Sequence, residues 1–394
     1  MNLKDTIRQM AAEISSDIIN IRRHLHRHPE LSFHEFETSV FVCQKLEELD
    51  IPCQLVAETG VLATIHGGLG PGRVIALRAD MDALAIDDQK TTDYRSQNRG
   101  VMHACGHDAH TAILLGVARI LKNLAPTFRG DVRLIFQPAE EIMPGGAVDM
   151  IREGALNNPE VGLVIGQHVA PHLPVGTVAV RKGHFMASMD ELSIRIKGKG
   201  GHGAEPHKLI DPVLAASTIV VILQQLISRK NNPSVPSVLS FGRFVANGTI
   251  NIVPDEVMLE GTFRSMDERW RESALSQIRQ MATSIAIGLG CECDVTIRNG
   301  YPSLINPIAT AEKISSDMKF FLGEEKVMDH PVWMASEDFA YYTRETDSLY
   351  YLLGVGMEDR EAVPLHTSLF DINEKAIETG MGVMAYIVLS NLEA

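Results

Sequence analysis

The run Val101-Met102-His103-Ala104-Cys105-Gly106-His107-Asp108-Ala109-His110 and the later run Gln137-Pro138-Ala139-Glu140-Glu141 hold the residues best suited to chemistry. Zinc-type metals take thiolate, imidazole and carboxylate ligands, and a catalytic site also needs a carboxylate outside the ligand set to move protons on the bound water. Two adjacent glutamates can divide those tasks. Cys105 and His107, two residues apart on a Gly-containing turn, can reach one metal or two neighbouring ones, while Asp108 or Thr111 could cap the helix that follows. The plainer alternatives are a core thiol beside a capping histidine and a pair of solvated loop carboxylates. Gln167-His168 follows the apolar run Val161 to Gly166, and His366 sits in Val363-Pro364-Leu365-His366-Thr367-Ser368, ahead of the last helix. Either histidine alone reads as an ordinary loop residue. Together, Cys105, His107, Glu141, His168 and His366 offer five ligands on one side of a sheet, enough for two metals sharing a bridge, with Glu140 left as general base.

Such a site requires strands that end on one edge. Helical spacing of Leu3, Ile7, Met10, Ala11, Ile14, Ile18, Ile21 and Leu25 predicts a long first helix stopped by Pro29, and a second helix is expected from about Glu35 to Leu49. A strand region then opens over Gly60 to Ile65. Strands and helices alternate as Val74 to Leu77, Thr111 to Leu124, Val132 to Phe136, Ala147 to Glu153 and Val161 to Gly166, which predicts an α/β layer with a mainly parallel central sheet. Glu140, Glu141 and His168 then fall at C-terminal strand edges, where such sheets bind ligands. After Ala187 the order changes to strand Leu192 to Ile196, helix Pro212 to Ser228, strands Val238 to Val245 and Glu256 to Arg264, helix Glu268 to Ile287 and strand Cys293 to Arg298. This βαββαβ order is the ferredoxin-like unit. The expected organisation is a discontinuous catalytic domain over 1–186 and 300–394, completed by strand Leu349 to Leu353 and helix Asn373 to Leu389, with an inserted domain over 187–299.

A chain of 394 residues suits about two domains, and 45% apolar residues supply ample core. A formal charge of −14 and a pI near 5.5 argue against nucleic acid or an anionic membrane as partner. The N-terminal residues lead into charged helical sequence with no apolar leader, so secretion is not expected. The apolar stretch Pro212 to Leu226 falls short of the roughly 20 residues that span a bilayer. Five cysteines, at 43, 53, 105, 291 and 293, suit a reducing cytoplasm better than a disulfide framework, leaving Cys105 free to ligate.

The chain resembles the metal-dependent aminoacylase and carboxypeptidase superfamily, in its hippurate hydrolase and auxin-conjugate amidohydrolase branch. The likeness runs nearly end to end through Arg23-His24-Leu25-His26-Arg27-His28-Pro29-Glu30-Leu31, Ala79-Asp80-Met81-Asp82-Ala83-Leu84, the Met102 to His110 run, Gln137 to Glu141, Gly200-Gly201-His202-Gly203, Asn251-Ile252-Val253-Pro254, Ser336-Glu337-Asp338-Phe339 and Leu365-His366-Thr367. The resemblance implies two divalent metal ions (zinc, manganese, nickel or cobalt), with Cys105 as bridge, His107 and His168 on one metal, and Glu141 and His366 on the other. It implies Glu140 as general acid/base, and Asp82 as a residue orienting a ligand. Where distant relatives carry a His-x-Asp ligand motif this chain has Asp80-Met81-Asp82, and Cys105 with His107 compensates for the missing histidine. The inserted domain matches a lid that also carries a homodimer contact. His202 matches the lid histidine that stabilises the oxyanion, and Asn251 and Arg264 fall where relatives bind the substrate's carboxylate or backbone. Plainer roles for these last two are a turn asparagine and a surface ion pair; His24, His26 and His28 read as structural. Ala85, where relatives commonly have proline, and Glu205, where they often have an apolar residue, depart from the pattern, the second beside the substrate loop. The implied activity is hydrolysis of N-acyl amino acids, with a dipeptidase or carboxypeptidase of the same family, a non-catalytic binding protein and thiol catalysis by Cys105 as alternatives.

Overall fold

The computed structural model describes residues 2–357 and 361–392. The chain divides into two compact units, Met1–Gly183 with Ile305–Pro331 and Asp338–Ala394, and His184–Leu304 with Val332–Glu337.

The first unit is built on an eight-stranded mixed sheet in the order Cys53–Val56, Gly60–His66, Asp131–Gln137, Val74–Asp80, Leu163–Pro174, Ser348–Gly356, Val178–Val180, Val327–Asp329. The four central strands, from Asp131–Gln137 to Ser348–Gly356, are mutually parallel. Val74–Asp80 is buried at every position, so Val74 to Leu77 reads as a continuous apolar run and not as an alternation, and the buried Arg78 and Asp80 that follow pair with each other. Helices Leu3–Arg27, His107–Leu124 and Ala376–Leu392 pack on one another and share one hydrophobic core with the sheet. Leu3–Arg27 turns Ile7, Ala11, Ile14, Ile18 and Leu25 inward at helical spacing and begins with the Asn2 side chain accepting from the Asp5 amide. Truncating a fully buried residue such as Ile7 is expected to cost about 2–5 kcal/mol.

Four details differ from the sequence reading. The strand read over Val161 to Gly166 does not stop at Gly166 but continues to Pro174, because Ser348–Gly356 pairs alongside it past His168, which opposes Leu352. His168 is therefore a strand residue and not a loop residue. Helix His107–Leu124 begins one turn early, behind Gly106 at φ 88°, and no side chain caps it. Asp108 and Thr111 lie inside the helix and not at its cap: Thr111 donates to the Asp80 carbonyl (2.8 Å), and Asp108 meets Arg22 and His26. Cys43 and Cys53 are disulfide-bonded, because the turn after helix Phe36–Glu47 brings their α-carbons to 6.0 Å, within bridging range. Cys105, Cys291 and Cys293 remain free. Helix Ile308–Leu322, with Ala311, Ile314, Met318 and Phe321 inward, fills a stretch left unassigned above.

In the second unit Ser188–Lys197 lies between Glu256–Ser265 and Glu292–Asn299, and Ser237–Val245 forms the edge beyond Glu256–Ser265, all antiparallel. Helices Pro212–Leu223 and Glu268–Gly288 form one apolar core with this sheet, giving the order βαββαβ. Each helix starts on an aspartate: Asp211 accepts from the Val213 and Leu214 amides, and Asp267 accepts from the Trp270 amide. Ser188–Lys197 alternates buried with more exposed positions, the pattern of a sheet covered on one face. The stretch Pro212–Lys230 has the length and apolarity of a membrane-crossing helix, but Ala215, Ala216, Ile219, Leu223 and Leu226 are spent on this unit's core.

Candidate metal centre

The first unit gathers Cys105, His107, Glu141, His168 and His366 at one place. The Cys105 Sγ is 3.3 Å from the His168 Nε2 and 3.3 Å from the His366 Nε2. The Glu141 Oε1 is 3.4 Å from the His366 Nε2 and 3.9 Å from the His107 Nε2. Ligand atoms of Cys105, His107 and His168 lie within 4.8 Å of one another, as do those of Cys105, Glu141 and His366, and those of His107, Glu140 and Glu141. Cys105 thus belongs to two triads, one with two histidines and one with a carboxylate and a histidine.

The backbone explains this convergence. Gly106 turns the chain between Cys105 and His107 in the left-handed region, where a Cβ would sit 2.4 Å from the Val169 Cγ2. A larger residue there would have to displace the Val169 side chain, next to His168 on its strand, and adopt a left-handed conformation. His366, also at positive φ, is tied down by its amide donating to the Ala104 carbonyl at 2.8 Å.

Hydrogen bonds fix which ring nitrogen of each buried histidine faces the cluster. The His107 Nδ1–H donates to the Asp82 carbonyl (2.9 Å) and lies 3.2 Å from the Asp82 Oδ1, so its Nε2 points inward. The His168 Nδ1–H donates to the Val169 carbonyl (2.8 Å), leaving Nε2 toward Cys105. His110 accepts the Val169 amide at Nε2 (2.9 Å) and donates from Nδ1 to Asp80 (2.6 Å). His110 therefore supports the strand beside His168, and Asp80 is held in turn by Arg78, which also bonds Gln137 and Asp338.

The electrostatics suit a cation. Burial works against a charged His107, but Asp80, Asp82 and Glu141 push its pKa up to about 10. Burial, with Glu141 and Glu140 close by, pushes the Cys105 thiol well above its ordinary range. Burial holds His168 well below the usual imidazole range. The His107 Nε2 and the Glu141 Oε1 are buried without a hydrogen-bond partner. Unpartnered buried polar atoms carry a penalty, and a metal ion entering here would displace the proton that these carboxylates hold on His107 and take the freed Nε2 and the Glu141 oxygen as ligands. A thiol, three imidazoles and a carboxylate also form a borderline-soft donor set of the kind zinc-type metals take, so the residues fit such a metal.

Asp82, 1% exposed, accepts the Glu140 amide (3.1 Å) and the His107 ring at Oδ1, and the Glu141 amide (3.0 Å) and the Ser32 hydroxyl (2.6 Å) at Oδ2. One carboxylate therefore orients a candidate ligand and both glutamates. Beyond it, buried Arg22 bonds Asp108 and Asp371 while His26 bonds Asp108, under the first turn of helix His107–Leu124. His26 is thus a structural histidine. Glu35, whose role the sequence did not disclose, accepts the Ala139 amide, and burial with Asp82 nearby pushes its carboxyl up to about 7.

His202, Asn251 and Arg264 belong to the second unit. His202 is exposed, its Nδ1 accepting the Ala204 amide at 3.1 Å, and Gly203 bonds the Asn251 carbonyl, so these two loops adjoin. Arg264 donates to the Met334 carbonyl (3.1 Å) and the Ser336 hydroxyl (3.3 Å). Among the described residues it has no carboxylate partner, so it is not the surface ion pair weighed above.

Residues 76–390 match the model of peptidase family M20/M25/M40. An N-acyl-L-amino acid amidohydrolase of Geobacillus stearothermophilus is 42% identical over 77% of this chain and 81% of its own length. Thermostable carboxypeptidase 2 of Saccharolobus solfataricus is 35% identical over 99% and 98%. A solved structure described as a dinuclear metal-binding peptidase of the M20 family, from Bacillus subtilis, superposes with a TM-score of 0.84 at 35% identity, covering 97% of this chain and 99% of that one.

Proposed function

The chain belongs to peptidase family M20/M25/M40, whose members include amidohydrolases acting on N-acyl amino acids, and from that premise we propose how its own residues carry out amide hydrolysis. Cys105, His107, Glu141, His168 and His366 would hold two divalent metal ions, zinc, manganese, nickel or cobalt; Cys105, His107 and His168 would supply one group of ligands, and Glu141 and His366, with Cys105 again in reach, the other. Bound there, such ions make water nucleophilic at neutral pH and polarise the scissile carbonyl. Glu140 takes the proton from the attacking water and passes it to the leaving amine. Asp82 keeps the His107 Nε2 facing inward and holds the turn from which Glu140 and Glu141 project. The single observation that carries this reading is the pair of unpartnered buried atoms, the His107 Nε2 and the Glu141 Oε1, converging on a buried thiol with Glu140 alongside.

In this reading the second unit is the lid, over about 187–299, and the homodimer contact. His202 donates to the developing oxyanion, an interaction whose removal typically costs about 3–4 kcal/mol. Asn251 and Arg264 receive the substrate's carboxylate end; a half-buried guanidinium bonded only to neutral acceptors suits an incoming carboxylate. The proposed compartment is the cytoplasm, where a reducing pool keeps Cys105 a free thiol, although the Cys43–Cys53 bond weighs the other way. Thiol catalysis by Cys105 is disfavoured, because reactive cysteines have lowered pKa values and this one is pushed up. Peptide cleavage stays as the second reading, supported by the carboxypeptidase relative.

The test is primary-amine release from N-acetyl, N-benzoyl and longer N-acyl amino acids and from dipeptides, with metal-reconstituted and chelator-stripped protein in parallel. Metal-dependent release from an N-acyl amino acid is the expected result. Release from dipeptides alone moves the assignment to peptidase, and silence throughout refutes catalysis on these substrates.

A further inference from the structure

The connector between the first two helices carries three side chains that the chemistry above leaves unused. Glu30 accepts the Glu37 and Thr38 amides (3.2 and 2.8 Å) and the Thr38 hydroxyl (2.9 Å), closing the N-terminus of helix Phe36–Glu47. Ser32 donates to Asp82. Glu35 occupies the N-cap position of that helix, but its side chain makes no capping bond. It is fully buried and reaches the other way, with Oε1 accepting the Ala139 amide at 2.8 Å and Oε2 accepting the Thr59 hydroxyl at 2.6 Å.

The amides of Ala139, Glu140 and Glu141 therefore all end on two buried carboxylates, Glu35 for the first and Asp82 for the other two. Ala139 stands at φ 53°, in the left-handed region, which is unfavourable for a residue with a Cβ. Such a conformation persists only where its surroundings hold it. The Ala139 carbonyl is held by the Gly146 amide at 3.0 Å, and its N–H is held by Glu35. Release of that N–H would leave a buried donor without an acceptor and let the turn relax, and the next two residues along the turn are Glu140 and Glu141.

We infer that Glu35 is a positioning residue whose buried carboxylate clamps Ala139 in the left-handed region and thereby sets the directions of Glu140 and Glu141. The inference rests on the roles proposed above for those two glutamates. It also gives the connector between the first two helices a function: Glu30 fixes the helix start, which places Glu35, while Ser32 steadies Asp82.

Two variants of the full-length protein test it. Glu35→Gln keeps an oxygen to accept the Ala139 amide and an amide to donate to Thr59, whereas Glu35→Ala leaves the Ala139 N–H unpaired. Turnover of Glu35→Ala is expected to fall about 10- to 100-fold, the usual effect of removing a residue that orients a site, with KM little changed and with Glu35→Gln close to wild type. Hydrogen exchange on the metal-free protein supplies a readout independent of activity. The amides of 139–141 should exchange faster in Glu35→Ala, return to protection in Glu35→Gln, and leave strand Asp131–Gln137 unaltered in both. Wild-type protection of 139–141 in Glu35→Ala overturns the inference, as does faster exchange throughout the strand with no rescue by glutamine, which would make Glu35 a general stability residue. If Glu140→Gln retains turnover the proposed chemistry fails, while the exchange experiment still decides whether Glu35 holds the turn.

Discussion

Asp82→Asn is the substitution whose consequences the structure specifies most fully. The carboxylate receives four donors, two on each oxygen, and an asparagine must turn one oxygen into a donor. The cheaper placement puts the NH2 at Oδ2, where the Ser32 hydroxyl can rotate to accept, but the Glu141 amide then loses its acceptor. One charge-assisted bond is lost, about 2 kcal/mol, and those from the Glu140 amide and His107 weaken to neutral ones, about 1 kcal/mol each, for a total of about 4 kcal/mol. Burial opposes the charge on Asp82, yet the bonds from His107, Ser32 and the Glu141 amide outweigh it and hold the carboxyl below its ordinary range. A depressed folded-state pKa contributes stability above the unfolded value, about 4, and that contribution is lost as pH falls through the folded value. The stability gap between wild type and variant should therefore be full at pH 7 and shrink below about pH 4. Denaturant unfolding of the metal-free proteins at both pH values measures it, and calorimetric titration with zinc or manganese should show affinity lower by about 10- to 100-fold, because the bond that orients His107 weakens and the Glu141 amide loses its acceptor. Unchanged metal affinity together with a pH-independent gap would refute the reasoning.

Three further outcomes follow from the same geometry. Glu140→Gln should abolish amide hydrolysis while metal analysis still finds two ions, whereas Glu141→Gln should lose metal; equal metal loss in both would end the proposed division of labour. Gly106→Ala should lose about 2–4 kcal/mol, from left-handed strain and overpacking on Val169, and Val169→Ala in the same chain should restore only the packing part, read by thermal unfolding. Arg22→Met strands Asp108 and Asp371, both buried, and should destabilise by about 3–5 kcal/mol in denaturant titration; a loss below 1 kcal/mol would show that the network is not coupled to folding.

Much of this architecture is legible in the sequence because burial leaves periodic traces. Ile7 to Leu25 on the first helix, the runs over Val74 and Val132, and the alternation over Leu192 to Ile196 each report the faces they bury. Pairing partners leave no such trace. The extension of the His168 strand to Pro174 is dictated by Ser348–Gly356, remote in sequence, and Val178–Val180 and Val327–Asp329 are too short to carry a period. The Cys43–Cys53 bond depends on a turn geometry that cysteine spacing does not encode. Cys105, His107, Glu141, His168 and His366 stand out by side-chain type, and the structure brings them together. Glu35 and His110 act through backbone amides, Ala139 and Val169, so residue type could not single them out.

Ser348–Gly356 lies inside its sheet, between Leu163–Pro174 and Val178–Val180, although it follows both by a long stretch of chain. Until it is made, the two earlier strands face an empty slot, and His366 follows later still. Assembly of the first unit thus waits on a segment remote in sequence, which closes the sheet and completes the set of candidate ligands in the same step. A chain truncated before Ser348 should accordingly hold exposed sheet edges and, lacking His366, bind metal more weakly.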